Sequence, residues 1–152
     1  NRCIERYEKL RKEGRFEGGT MIGHKEIANK YLEAGIFLYP TQFYEIHCIS
    51  AVKAQLAGCK MVTSDAFALN ESVQYGIKIH TDCEKWNTKN TFGDEQTDKY
   101  VEAIQLSLNS EKETEEEWAR ENYNWDNISN QWMKQLKSIQ QLPEDTKAPE
   151  KT

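Results

Sequence analysis

The sequence predicts an α/β fold built on a doubly wound parallel sheet, followed by a helical C-terminal end. Short apolar runs alternate with amphipathic stretches from residue 24 to residue 81. Glycines mark the ends of those stretches, and residues 95 to 141 carry helical periodicity alone. Strand and helix in strict alternation imply parallel pairing through right-handed crossovers.

Each element has its own signal. Residues 2 to 12 place Ile4, Tyr7 and Leu10 three apart between charges, which is an amphipathic helix stopped at Gly14. "GGTMIG" (18 to 23) can form a short strand between glycines. "HKEIANKYLEAG" (24 to 35) puts Ile27, Tyr31 and Leu32 on one helical face and ends at Gly35. "IFLYP" (36 to 40) is a continuous apolar run, as expected for a strand covered on both faces. A helix over 46 to 58, a strand over 60 to 65, a short helix over 69 to 75 and a strand over 77 to 81 follow. After a polar loop (82 to 95) the periodicity predicts helices over 95 to 109, 112 to 123 and 126 to about 141, the last capped by Asp126 or Asn127. The reading is one domain over 1 to 142, with a disordered tail over 143 to 152 by composition and no internal repeat.

Charged residues make up 30% of the chain, the net charge is -5 and the isoelectric point is about 5.3. No general basic surface is therefore expected for nucleic acid, and an anionic ligand must be held locally. Cys3, Cys48, Cys59 and Cys83 form no C-x-x-C pair and have no histidine at zinc-ligand spacing, which points to a reduced, intracellular protein. No stretch approaches the roughly 18 apolar residues of a membrane span, and no signal-peptide core opens the chain. These features predict a soluble, cytoplasmic chain. "EKETEEEW" (111 to 118) reads as a solvated acidic helix face and not a metal site, His80 as structural, and Trp118, Tyr123, Trp125 and Trp132 as core or interface. The chain begins with Asn and reads as a piece of a longer protein.

Ligands of open parallel sheets bind beyond the carboxyl ends of the strands, where helices present their N-termini. Residues 40 to 48 leave a strand and enter a helix, so the amides near Ile46, His47 and Cys48 are candidates to face a phosphate. Ala51, Ala54 and Ala57 let that helix lie close to the sheet. Lys53 shares a helical face with Ile49, Val52 and Leu56, so it is either a stem snorkelling past the core or a cation aimed at the strand ends.

The stretch "YPTQFYEIHCISAVKAQLAGCKMVTSDAFALNESVQYGIKI" resembles the C-terminal, donor-binding half of retaining GT-B glycosyltransferases of the group 1, family four type. That family has a strand ending in Tyr-Pro-Ser/Thr, a glutamate, a loop into a helix with a second glutamate eight positions on, and an Ala-x-x-x-Gly end. A strand and a Gly/Ala-Leu-x-Glu stretch follow. "GTMIGHKEIANKYLEAGIFLYP" and "NYNWDNISNQWMKQL" resemble the flanking segments, so the likeness spans nearly the whole chain.

The resemblance implies a Rossmann-like GT-B C-terminal domain, lacking its first strand and the N-terminal acceptor domain. It also implies retaining transfer of a hexose from a nucleotide-diphosphate sugar to an acceptor hydroxyl, without an obligatory metal or other cofactor. Glu45 matches the first glutamate and is the catalytic candidate. Ile46, His47, Cys48, Asn70 and Glu71 fall in the donor-binding set, and Gly23 and His24 lie where the family lines its base pocket. Lys53 stands at the second glutamate, which in the family holds ribose hydroxyls, and an ammonium cannot accept a hydrogen bond. A longer protein carrying this domain would act in glycan biosynthesis, in the cytoplasm or peripheral to a membrane, whereas this chain alone would bind donor weakly and transfer nothing. Without the other domain, Trp132, Met133 and Leu136 of the last helix would favour self-association. The competing class is a non-catalytic binding or interaction module of the same Rossmann-like origin.

Overall fold

The computed structural model describes residues 2 to 18, 21 to 82, 93 to 111 and 115 to 140. The expected tail over 143 to 152 and most of the polar loop lie outside them. Three apolar runs form the three strands, β1 (Ile36–Tyr39), β2 (Lys60–Ser64) and β3 (Ile77–Ile79), paired in parallel in the order β1-β2-β3. In the register Phe37 lies opposite Met61, and Val62 lies between Leu38 and Ile77.

Because side chains alternate along a strand, β2 feeds two cores. Met61 packs with Cys48, Ala51, Ala54, Cys59, Ala66, Leu69 and Val73 on one face of the sheet, while Val62 packs with Ile79, Tyr100 and Ala103 on the other. The helices divide accordingly. Preceding the sheet are α1 (Arg2–Lys12) and α2 (His24–Glu33), and α3 (Ile49–Leu56) and α4 (Leu69–Ser72) cross between strands. On the Val62 side lies α5 (Asp94–Asn109); α6 (Glu115–Asn122) packs against α3, and α7 (Trp125–Gln140) follows it. Alanines 51 and 54 are fully buried, and this lack of side-chain bulk lets α3 approach the sheet. Helices on both faces of an open parallel sheet make this an α/β chain, compatible with a Rossmann-like fold.

Several sequence expectations shift. Residues 21 to 23 form no strand and Met21 is fully exposed, with no neighbouring strand to pair with; residues 19 and 20 lie outside the described residues. β1 is not fully covered on both faces: Phe37 and Tyr39 pack on one core, but on the other face Leu38 is 44% exposed. The short helix stops at Ser72 because its carbonyls find side-chain donors: Gln55 Nε2 reaches Ser72 O at 2.7 Å, and Lys78 Nζ reaches Asn70 O at 3.1 Å and Val73 O at 2.7 Å. The last helix starts at Trp125, so Asn124 takes the cap in place of Asp126 or Asn127, its Oδ1 accepting from the Asp126 amide at 2.8 Å.

The acidic stretch is not wholly solvated. Glu115 is buried, on the same face as Ala119 one turn later, while Glu117 is exposed. Lys60, at the start of β2, donates from Nζ to Ser107 O at 2.7 Å and Ser110 O at 2.6 Å, so one ammonium closes the last turn of α5. The aromatic residues split into two groups. Trp118 meets Tyr123 edge-to-face at 5.5 Å and Tyr75 at 6.5 Å, whereas Trp125 and Trp132 are exposed along α7 with Met133, Leu136 and Ile139. Among the described residues, no helix is long and apolar enough to cross a membrane.

Candidate functional site

Parallel strands put all their exit loops at one end, and the site is built from those loops. In the loop leaving β1, Thr41 Oγ1 accepts from the Phe43 amide at 3.0 Å and the Glu45 amide donates to Phe43 O at 2.9 Å, a compact turn that brings Glu45 back toward the strand. There the Tyr39 phenol donates to Glu45 Oε1. The Glu45 carbonyl accepts from the Ala68 amide at 3.1 Å, which ties this loop to the one leaving β2. Glu45 is half-buried.

The hydrogen bond to Glu45, then burial and the Glu45 charge, push the Tyr39 phenol up from its ordinary 10 to about 12. A raised folded value means that the neutral phenol stabilises the fold at pH below about 10, and that this contribution is lost as the pH climbs through about 12. Burial also pushes the Tyr100 and Tyr123 phenols up, so tyrosinate absorbance is expected to show several late-titrating groups, of which one is lost in Tyr39→Phe and titrates earlier in Glu45→Gln. An unchanged alkaline limb in both variants would remove the assignment.

The three residues assigned to a helix start, Ile46, His47 and Cys48, are not in the helix. Cys48 is still extended (φ -61°, ψ 92°), α3 begins at Ile49, and its first internal bond runs from the Val52 amide to Cys48 O at 3.1 Å. The first-turn amides thus belong to Ile49, Ser50 and Ala51 rather than to residues 46 to 48. Burial raises the Cys48 thiol, with the Ala51 amide opposing, the Glu45 charge adding and the Ser50 amide opposing. A thiol held up in this way stays protonated near neutral pH and is no nucleophile. His47 packs its ring on Tyr123 at 6.0 Å, and Ile46 projects outward, 89% exposed.

Beyond β2, Asp65 organises the strand ends. Its Oδ1 accepts from the Thr81 amide at 2.8 Å, its Oδ2 lies 2.7 Å from His80 Nδ1, and its carbonyl accepts from Asn70 Nδ2 at 2.9 Å. Asn70 is therefore engaged within its own turn, and Glu71 beside it is exposed. Sequence reading passed over Asp65 and Tyr39; the available signal was their position at or just beyond the end of an apolar strand. His80, read as structural, is held by Asp65.

Lys53 and His24 come together elsewhere. They line a groove of about 410 Å³ between α2 and α3, whose walls include Ile27, Tyr31 and Leu56, and none of Glu45 to Cys48, Asn70 or Glu71 lines it. Gly23 caps the start of α2 in extended conformation, with open space around it. Lys53 is exposed, its stem along an apolar wall and its ammonium accessible. Among the described residues, no group of three or more His, Cys, Asp or Glu side chains could hold a metal ion.

Fold and site together define the class only as an α/β protein with an open parallel sheet whose exit loops gather Tyr39, Glu45, Asp65 and His80. No family model matches the chain, and no curated protein or solved structure matches it.

Proposed function

We propose that the chain is the nucleotide-sugar-binding part of a retaining GT-B glycosyltransferase, which transfers a hexose to an acceptor hydroxyl when joined to an acceptor-binding domain. One observation carries the reading: Glu45, the residue that the resemblance puts at the reacting sugar, is fixed at the carboxyl end of β1 by Tyr39 and bound through its carbonyl to the next exit loop. The phenol occupies one carboxylate oxygen and leaves acceptor capacity for sugar hydroxyls. On this reading the amides that open α3 offset charge on the departing diphosphate, which is where negative charge develops in the transition state, and Lys53, with His24 in the separate groove between α2 and α3, contacts the nucleoside end of the donor. Asn70 and Glu71 stand one short turn from Asp65, beside the same exit loops.

The test is binding. Thermal shift and amide chemical-shift mapping with UDP-glucose, GDP-mannose, UDP and GDP are expected to stabilise the chain and to move resonances of residues 45 to 51. At 100 times Kd a ligand contributes about 2.7 kcal/mol. Lys53→Ala is expected to weaken nucleoside-diphosphate binding by one to two decades, since a charge-assisted hydrogen bond is worth about 1.5 to 3 kcal/mol, and to leave stability almost unchanged. Equal affinity in Lys53→Ala would reduce this lysine to a snorkelling side chain.

A non-catalytic interaction module is the second reading, favoured by the lysine at the second glutamate and by the exposed Trp125 and Trp132 on α7. It predicts concentration-dependent sedimentation with no response to any of the four nucleotides.

A further inference from the structure

We infer that Phe67 and Tyr44 form an aromatic wall of the same site, on which the hexose ring of the nucleotide sugar stacks. The inference rests on the proposed donor-binding role and adds the surface that would select the sugar. Phe67 is in the left-handed region at φ 48°, and it is the one non-glycine residue with positive φ among the described residues. For a bulky side chain that conformation is strained and persists only where the surroundings impose it.

The surroundings do impose it. The Ala68 amide is held by Glu45 O at 3.1 Å, the Leu69 amide by Ala66 O at 3.1 Å, and the Asn70 amide by Phe67 O at 3.1 Å, so the backbone on both sides of Phe67 is bonded. The strain does not serve to bury the ring, which is 58% exposed. Instead the ring stands edge-to-face with Tyr44 (centroids 4.5 Å apart, planes at 89°), which is itself partly exposed and directly precedes Glu45. Two aromatic rings on two different exit loops thus belong to the residues next to the Glu45 backbone: Tyr44 precedes Glu45, and Phe67 precedes Ala68, whose amide is bonded to the Glu45 carbonyl. A pyranose presents apolar C–H faces and an equatorial rim of hydroxyls; an aromatic surface and a carboxylate carried on the same pair of exit loops match both. A nucleobase could also stack on such a ring. The carboxylate on the adjoining residue of the Tyr44 loop favours the sugar, which supplies several hydroxyl donors at once.

Two variants test this. Phe67→Gly suits the positive φ but adds backbone freedom; Phe67→Asn tolerates the same conformation without the ring. Both are expected to melt at the same temperature as the unsubstituted chain or higher, because relief of strain offsets the lost Tyr44 contact. Both are also expected to bind UDP-glucose or GDP-mannose about three- to tenfold more weakly while binding UDP and GDP unchanged. Unchanged sugar-nucleotide affinity overturns the aromatic wall and leaves the donor site standing. An equal loss for UDP and GDP moves the stacking partner to the base and overturns the hexose assignment, and a lower melting temperature in both variants makes Phe67 a packing residue and overturns the proposal. Failure of the unsubstituted chain to bind any of the four removes both readings.

Discussion

Gly76→Ala is expected to cost the fold about 3 kcal/mol or more, from backbone strain and steric overlap acting together. Gly76 has φ +98°, a conformation that L side chains rarely adopt. An added Cβ would stand 2.4 Å from Met61 O and 2.7 Å from Met61 Cβ. Neither atom can yield cheaply, because Met61 is fully buried and lies within β2, the central strand. Gly14→Ala is the matched control: φ is +66° but nothing lies within 4 Å of the added carbon, so only the conformational term of about 1 kcal/mol is lost. Urea denaturation followed by circular dichroism compares the two. Equal midpoints for Gly76→Ala and Gly14→Ala would show that the turn before β3 can shift away from β2.

Gln55→Leu is expected to lose about 2 kcal/mol although the side-chain volume hardly changes. Gln55 is fully buried, and its amide serves three backbone groups: Nε2 donates to Ser72 O at 2.7 Å and to Ala51 O at 3.3 Å, and Oε1 accepts from the Gln74 amide at 3.4 Å. Leucine fills the space and satisfies none of them. The Ser72 carbonyl keeps a second donor, the Tyr123 hydroxyl at 3.1 Å, so the loss falls short of a wholly orphaned carbonyl. Tyr123→Phe should therefore cost little by itself and more in the Gln55→Leu background, a coupling that a double-mutant cycle reads directly. Strict additivity, or a Gln55→Leu variant as stable as the parent, would mean that the bridge from α3 to α4 is not a stabilising contact.

Where a pattern depended on local periodicity, the sequence was a good guide. The run from Ile36 to Tyr39 and the run from Lys60 to Ser64 become strands because β-branched and aromatic side chains follow one another with no helical period to compete. Alternation of elements led to parallel pairing for the same reason. Local pattern failed where a distant partner sets the outcome. The short helix ends at Ser72 because Gln55 and Lys78, far away in sequence, take its carbonyls. Glu115 turns inward because Ala119 on its face packs in the interior, something that a row of glutamates does not reveal. At the site, Glu45 was legible as a loop carboxylate after an apolar strand. Its phenol partner Tyr39 was legible as the end of an apolar strand and of the Tyr-Pro-Thr stretch but not as a contact of Glu45, since a hydrogen bond across a loop leaves no periodic trace. The residues from Ile46 to Cys48 were one turn too early for α3, an error of the size usual at helix ends.

The all-parallel pairing bears on how the chain assembles. No strand can reach its neighbour through a tight turn, so each pairing must wait for a crossover segment to fold back. The span from Ile36 to Lys60 is longer than that from Val62 to Ile77, yet the two differ by only about 0.4 kcal/mol in closure entropy. That is less than the burial of one large apolar side chain. The order in which β1 and β3 dock is therefore decided by side chains, and Met61 is the one common to both events: it pairs with Phe37 across the ladder and meets Gly76 at the approach to β3. A folding nucleus centred on Met61 would couple both docking steps, with conservative changes there slowing refolding more than they speed unfolding.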